Sequence, residues 1–306
     1  MKKKFSAFAF LLMWVMVSCL STNEMNLPTP IASLSIENRK EVLTGFVQEN
    51  GGCQLPCIFG ITPGISDHTA VDALISYLRI NSRKTDDQTN NINIDTFTNE
   101  NSNGARMNFY ENKVNVGIIF SAHVVDSKVE GITFSGQALQ MIDIGAIKLF
   151  GNQYYDDLLK PFSLSTVLEI YGQPDQILIR PFPDHEGYPS PPAGYTFDFV
   201  LFYLKQGFVA EYIAVRAEAG SNFVGCATKS YITQISSWNP DESISMTEAI
   251  KYFSNLDGIY EANISEYKQL QDVTSLSITD FHNMYRISDS SECVQTPKEL
   301  WPSTIQ

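Results

Sequence analysis

One acid–base cluster stands out in the sequence, the tripeptide Asp184-His185-Glu186. Hydrolytic enzymes use this combination, because an imidazole exchanges protons near neutral pH and neighbouring carboxylates orient it. The cluster lies in a segment rich in proline and glycine, residues 181–194, and that composition indicates a solvated loop. Charged side chains in such a loop need no catalytic explanation. No nucleophile elbow, phosphate-binding loop or dinucleotide fingerprint accompanies them, so we assign no catalytic residue and expect no cofactor.

Aromatic side chains concentrate around the same loop and the strand that follows it. Tyr195, Phe197 and Phe199 alternate along the chain, so they share one face of a predicted strand. Alternating rings are typical of a strand whose inner face packs in the core. Because Tyr188 and its proline-rich loop border this strand, the alternative is an exposed groove lined by Tyr188, Tyr195 and Phe197. Such a groove would stack on sugars or grip a protein partner.

The first 18 residues have the composition of a secretory signal. Lysines precede an apolar run at residues 5–17, and the small residue Ser18 precedes Cys19. The run is shorter than the roughly 20 residues that a membrane-spanning helix needs. The tripeptide before Cys19 resembles the lipobox of bacterial lipoproteins, which are cut before a cysteine that carries diacylglycerol. The resemblance implies an exported chain, anchored by lipid at Cys19 to the cell membrane or outer envelope. The alternative is an ordinary secretory cut that discards Cys19 or leaves it as a thiol.

The other four cysteines are an even number in a chain predicted to be exported, which favours two disulfides. Three connectivities are open, and we favour Cys53 with Cys57 and Cys226 with Cys293. The alternative for the first pair is a metal site completed by His68. That site would lack the second close cysteine pair of zinc ribbons, so we expect no metal.

Hydrophobic periodicity predicts an α+β fold. Two divergent units in tandem, residues 49–145 and 146–237, each begin with a capped helix and continue as alternating strands joined by polar turns. A lipid tether and lead-in, residues 19–48, precede them. The last segment, residues 238–306, has helical spacing and capping signals, and we expect it to pack on the second unit.

Three short motifs carry a family resemblance. The string GGCQLPCIFGITPG at residues 51–64, the helix end IYGQPDQILI and the tail CVQTPKELW resemble a group of uncharacterised bacterial lipoproteins. This likeness implies no particular activity. More distantly, Gly172, Pro174 and the hairpin from Tyr203 to Phe208 are similar to landmarks of the outer-membrane assembly lipoproteins of the small protein A family. The β-lactamase inhibitor proteins use two such modules in tandem, and the resemblance implies that the modules offer a surface to another protein.

Composition limits the possible partners. The chain has 306 residues, a net charge of −13 and 43% apolar residues, which excludes a wholly disordered or fibrous protein and disfavours nucleic acid as a partner. The sequence therefore predicts a non-enzymatic, lipid-anchored envelope protein that acts as a binding or scaffold surface for an envelope protein or a glycan. The alternatives are a carbohydrate-binding protein and a hydrolase that uses the loop cluster.

Overall fold

The fold is α+β, as predicted. A computed structural model of the chain describes residues 36–81, 92–99, 102–111, 114–140, 153–182, 196–226, 231–255, 266–287 and 292–302. The helices in these ranges are α1 (Ile36–Gln48), α2 (His68–Asn81), α3 (Gln153–Leu158), α4 (Leu164–Tyr171), α5 (Met246–Asn255), α6 (Leu270–Val273) and α7 (Ile278–Tyr285). The strands are β1 (Ile92–Asn99), β2 (Ser102–Glu111), β3 (Val114–Val125), β4 (Lys128–Gln140), β5 (Gln176–Phe182), β6 (Thr196–Tyr203), β7 (Phe208–Ala219), β8 (Asn222–Gly225), β9 (Tyr231–Trp238), β10 (Lys268–Gln269) and β11 (Val294–Pro297).

One continuous sheet runs through the described part of the chain. Its strand order is β1-β2-β3-β4-β9-β7-β6-β5-β10, with every neighbouring pair antiparallel, and β8 pairs with both β7 and β11. The first half, β1 to β4, follows α1 and α2, and the second half follows α3 and α4. The halves meet where β4 pairs with β9, with Thr133 opposite Ser236. The element order is thus the same in both halves, while their origin as two divergent copies stays a prediction.

Local sequence explains where the short helix α4 begins and ends. Ser163 precedes it in an extended conformation, and its side chain accepts a hydrogen bond from the backbone N–H of Thr166. This is the standard N-cap arrangement. Gly172 ends the helix at a φ of 75°, a region that favours glycine, and its N–H donates to the carbonyl oxygen of Leu168.

A single apolar core on one side of the sheet joins the two halves. We call this side the helix face, because α1, α2, α4, α6 and α7 contribute side chains to the core on it. Phe134 of β4 and Phe162, which precedes α4, lie with ring centroids 4.4 Å apart, and Phe59 contacts both rings. Buried aromatic contacts between the halves stabilise them as one body.

The other side of the sheet, which we call the opposite face, is covered unevenly. On its second half, α5 packs over a smaller apolar cluster. This cluster comprises Leu178, Val200, Phe202, Val209, Trp238, Ala249 and Tyr267. Within the ranges that the structure describes, no apolar cluster lies on the first half of this face.

The cysteine-rich motif forms a tight buried loop. Cys53 and Cys57 are joined by a disulfide, as predicted, and the alternative metal site with His68 is wrong because the two sulfur atoms bond to each other. Asn50 holds the loop from inside: its Nδ2 donates to the carbonyl oxygens of Cys53 and Cys57 at 3.0 and 2.9 Å. Its Oδ1 accepts from the N–H of Phe59 at 3.0 Å. The loop thereby positions the Phe59 side chain in the core.

The segment after residue 238 differs from a purely helical layer. It also contributes β10 to the outer edge of the sheet and β11 to an antiparallel pair with β8. Cys226 and Cys293 form the second predicted disulfide beside that strand pair. Whereas α5 packs on the opposite face, α6 and α7 pack on the helix face, so this segment encloses the second half from both sides.

The predicted tether is shorter than residues 19–48. From Ile36 onward the chain is α1, and Leu43, Phe46 and Val47 of this helix are buried in the core. Their spacing places all three on one side of a helix. The last part of the lead-in is therefore a structural element of the domain.

Candidate functional site

Most of the residues that the sequence singled out for function lie outside the described part of the chain. These are Cys19, Asp184, His185, Glu186, Tyr188 and Tyr195. Lipidation, the acid–base loop and most of the aromatic groove therefore stay predictions.

Phe197 is the one predicted groove residue that the structure describes, and it is a core residue. Its side chain is fully buried on the helix face, with its ring centroid 5.0 Å from that of Phe199. A methyl group at Gly225 would lie 2.3 Å from Phe197 Cγ, so the ring is packed tightly on the backbone. Phe197 therefore does not line an exposed groove, because strand alternation turns it inward with Phe199.

A buried polar cluster lies on the opposite face near the outer edge of the sheet. Asp198 of β6 is 3% exposed, and its neighbour in register on β5 is Arg180, which is 6% exposed. Tyr267, just before β10, is 7% exposed, and its Oη lies 3.1 Å from Asp198 Oδ2 and 3.3 Å from Glu211 Oε1. One phenol therefore bridges two carboxyl groups that come from adjacent strands.

Further contacts enclose this cluster. Arg180 forms an ion pair with Glu266, and its guanidinium carbon lies 5.4 Å from the centroid of the Tyr267 ring. Thr233 donates from its hydroxyl to Glu211 Oε2 at 3.0 Å. The cluster thus joins the last segment of the chain to β5, β6, β7 and β9.

Burial dominates the electrostatics of the cluster. Burial and the nearby Glu211 carboxylate raise the pKa of Asp198 well above its usual value, although Arg180 acts in the opposite direction. Burial and the adjacent carboxylates Asp198 and Glu211 also raise the pKa of Tyr267 well above its usual value. The cluster therefore disfavours negative charge and retains protons.

An open pocket of about 660 Å³ adjoins Tyr267. Apolar side chains of β5 and α5 form part of its wall, and side chains around β10 and α6 add polar and charged groups. The lining residues are Gln176, Leu178, Met246, Ile250, Tyr267, Lys268, Gln269, Asp272, Val273 and Leu300. The phenol ring of Tyr267 thus separates this pocket from the carboxyl pair.

The first half of the opposite face has mainly small and polar side chains, with Phe97 and Ile119 as apolar members. Successive strands place these side chains next to one another in register, and the rows continue to β9. We define the polar face as Asp95, Arg106, Ile119, Ser121, Thr133 and Ser135. Its outer members Asp95 and Arg106 are exposed and present both signs of charge, whereas Thr133 and Ser135, next to β9, are buried.

The buried cluster was missed at the sequence level because it has no local motif. Arg180, Asp198 and Tyr267 are far apart in the chain, and only strand pairing brings them together. A weaker signal was present: Arg180 and Asp198 are charged residues inside apolar strands, in ILIRPF and FDFVLF. Charged side chains at such positions are rarely buried without a partner.

Among the described residues, no three His, Cys, Asp or Glu side chains are grouped to hold a metal ion. No helix in the described ranges is long and apolar enough to cross a bilayer. Neither family models, nor curated proteins, nor solved structures include a match to this chain.

Proposed function

We propose that this chain is an envelope lipoprotein, held at a membrane by lipid at Cys19, that binds another envelope protein and has no catalytic activity of its own. The two disulfides indicate an oxidising, exported environment. The observation that carries the proposal is the outer part of the polar face, where Asp95 and Arg106 are exposed and Ile119 and Ser121 are partly exposed, whereas α5 covers the same face of the second half.

The chemistry of the polar face suits a protein partner. Arg106 and Asp95 are exposed and next to each other in register, Ile119 lies between Arg106 and Ser135 across the strands, and Ser121 is the next residue of β3 on the same face. Protein interfaces commonly combine an apolar centre with polar and arginine contacts. A sheet also holds these groups at fixed spacing. The resemblance to modules that act by offering a surface to another protein supports the same assignment.

Two substitutions that change the net charge by the same amount test the proposal. Arg106→Glu alters the polar face, whereas Lys205→Glu alters an exposed residue in the turn between β6 and β7. The full chain is cross-linked in its native envelope through a photoreactive residue at position 121, and the captured protein is identified. We expect capture in wild type and Lys205→Glu, and loss in Arg106→Glu. Equal capture in all three, or no captured protein, would contradict the proposal.

Lipid anchoring has a separate test. Cys19→Ser should move the chain from the membrane fraction to the soluble fraction, because two acyl chains hold a protein far more strongly than one or none. An unchanged membrane fraction would contradict anchoring at Cys19. The carbohydrate-binding and hydrolase alternatives depend on Tyr188, Tyr195 and the loop cluster, and they stay predictions.

A further inference from the structure

The hydroxyl of Tyr267 has one proton and two carboxyl neighbours. Its oxygen lies within hydrogen-bond distance of both Asp198 Oδ2 and Glu211 Oε1. If both carboxyl groups were ionised, two anions would compete for that single proton. If Asp198 is protonated, every contact has a donor: Asp198 donates to Tyr267, Tyr267 donates to Glu211, and Thr233 donates to the other oxygen of Glu211.

The surroundings place the proton on the Asp198 side of the pair. Asp198 is 3% exposed, and among the described residues its Oδ1 has no hydrogen-bond partner, which is costly for a charged carboxylate. Glu211 is only partly buried and receives the hydroxyl of Thr233, which favours its ionised form.

Among the described residues, charges of both signs lie near the pair. Arg180 is a cation beside Asp198, and it is also ion-paired with Glu266. From α5, the described side chains in the adjoining cluster are apolar: Met246, Ala249 and Ile250. The chain from Tyr267 to β10 contributes Lys268, whose amine donates to the carbonyl oxygen of Leu300.

We infer that Asp198 and Glu211 share one proton through Tyr267, and that the hydrogen bonds of this proton attach the segment beginning at Glu266 to the outer edge of the sheet. This attachment matters because β10 itself is short. Only Lys268 and Gln269 pair with β5 there. The side-chain bridge therefore adds to a two-residue strand contact that is weak alone.

Loss of the shared proton would weaken this attachment. The buried Asp198 carboxylate and the partly buried Glu211 carboxylate would then repel each other, and the Tyr267 hydroxyl could donate to only one of them. Since the pKa of Asp198 is raised in the folded chain, its contribution to stability is present below the ordinary carboxyl pKa and is lost as pH rises through the raised value. The pocket wall formed by Tyr267 and Lys268 should loosen over the same pH interval.

Hydrogen exchange across pH tests the inference, with Asp198→Asn and a matched control, Asp95→Asn. Asp95 is exposed on β1, so its substitution makes the same carboxyl-to-amide replacement without touching the bridge. The readout is the protection of the Lys268 and Gln269 amides, corrected for the intrinsic pH dependence of exchange, from about pH 5 to about pH 9. In wild type and Asp95→Asn we expect protection to fall by up to about tenfold per pH unit between the ordinary carboxyl pKa and the raised pKa of Asp198, and to level off above the raised pKa.

In Asp198→Asn the protection should not change with pH, because an amide donates to Tyr267 at every pH. A flat profile in wild type, or a profile in Asp198→Asn that follows wild type, would overturn the inference. If Asp198→Asn does not fold, infrared spectroscopy of the wild type at neutral pH decides. The carbonyl stretch of a protonated carboxylic acid supports the shared proton, and its absence refutes it.

Discussion

Removing each disulfide separately should destabilise the chain by different amounts. The Cys226–Cys293 bond closes a sequence separation of 67 residues, whereas Cys53–Cys57 closes a separation of only 4. In the chain-entropy description, the long loop corresponds to about 4 kcal/mol of folding free energy and the short loop to about 2 kcal/mol. The variant Cys226→Ser with Cys293→Ser should therefore lose about twice as much stability as Cys53→Ser with Cys57→Ser.

Urea unfolding followed by circular dichroism measures the difference. The variant without Cys226–Cys293 should also show a larger dependence of the unfolding free energy on urea, because its unfolded chain is less compact. A reducing agent is the control, since all three proteins should then converge on one stability. Equal losses in the two variants, or a larger loss at Cys53–Cys57, would refute the reasoning that loop length sets the effect.

Four further substitutions test side-chain packing, a buried hydrogen bond and helix capping. Gly104→Ala should destabilise the chain by about 1–3 kcal/mol, because the new Cβ would lie 2.2 Å from a backbone oxygen. Gly45→Ala should instead stabilise α1 by about 0.5–1 kcal/mol, because nothing lies within 4 Å of its added Cβ. Equal urea midpoints for these two variants would contradict the prediction. Tyr212→Phe should cost about 1–3 kcal/mol in the same assay, because it leaves the buried carbonyl of Phe162 without its 3.0 Å donor, and an unchanged midpoint would argue against that bond. Hydrogen bonds in the capping box of α7 lower the pKa of Asp280, so its contribution to stability is present at neutral pH and is lost on acidification through the lowered pKa. Asp280→Asn should therefore be less stable than wild type at neutral pH, and the difference in unfolding free energy should disappear in acid. A difference that does not change with pH would contradict the assignment.

Local sequence patterns were sufficient to predict the fold class and both disulfides. Cap and turn residues such as Ser163 and Gly172 act on their immediate neighbours, so their effects can be predicted from sequence. The cysteine pairs follow from an even count and a short first spacing. Strand alternation also supported the interpretation of Phe197 as a core residue, which the structure shows to be correct.

Long-range arrangement was not predictable from the same signals. Nothing local to β4 specifies β9 as its neighbour, and the amphipathic residues of α5 do not reveal which face of the sheet they cover. The bridge between Asp198, Glu211 and Tyr267 likewise depends on long-range arrangement, namely the pairing of β6 with β7 and of β10 with β5. Its members looked like ordinary strand and loop residues, because no spacing in the chain connects them.

The seam between β4 and β9 has a consequence for biosynthesis. β4 is complete at Gln140, but the strand that pairs with its outer edge, Tyr231–Trp238, leaves the ribosome or the export channel only after α3, α4 and β5 to β8. Unpaired strand edges associate readily with other chains. The β4 edge of the first half therefore stays unpaired while most of the second half is synthesised. Truncated chains that end before Tyr231 should self-associate, whereas the completed chain covers that edge with its own β9.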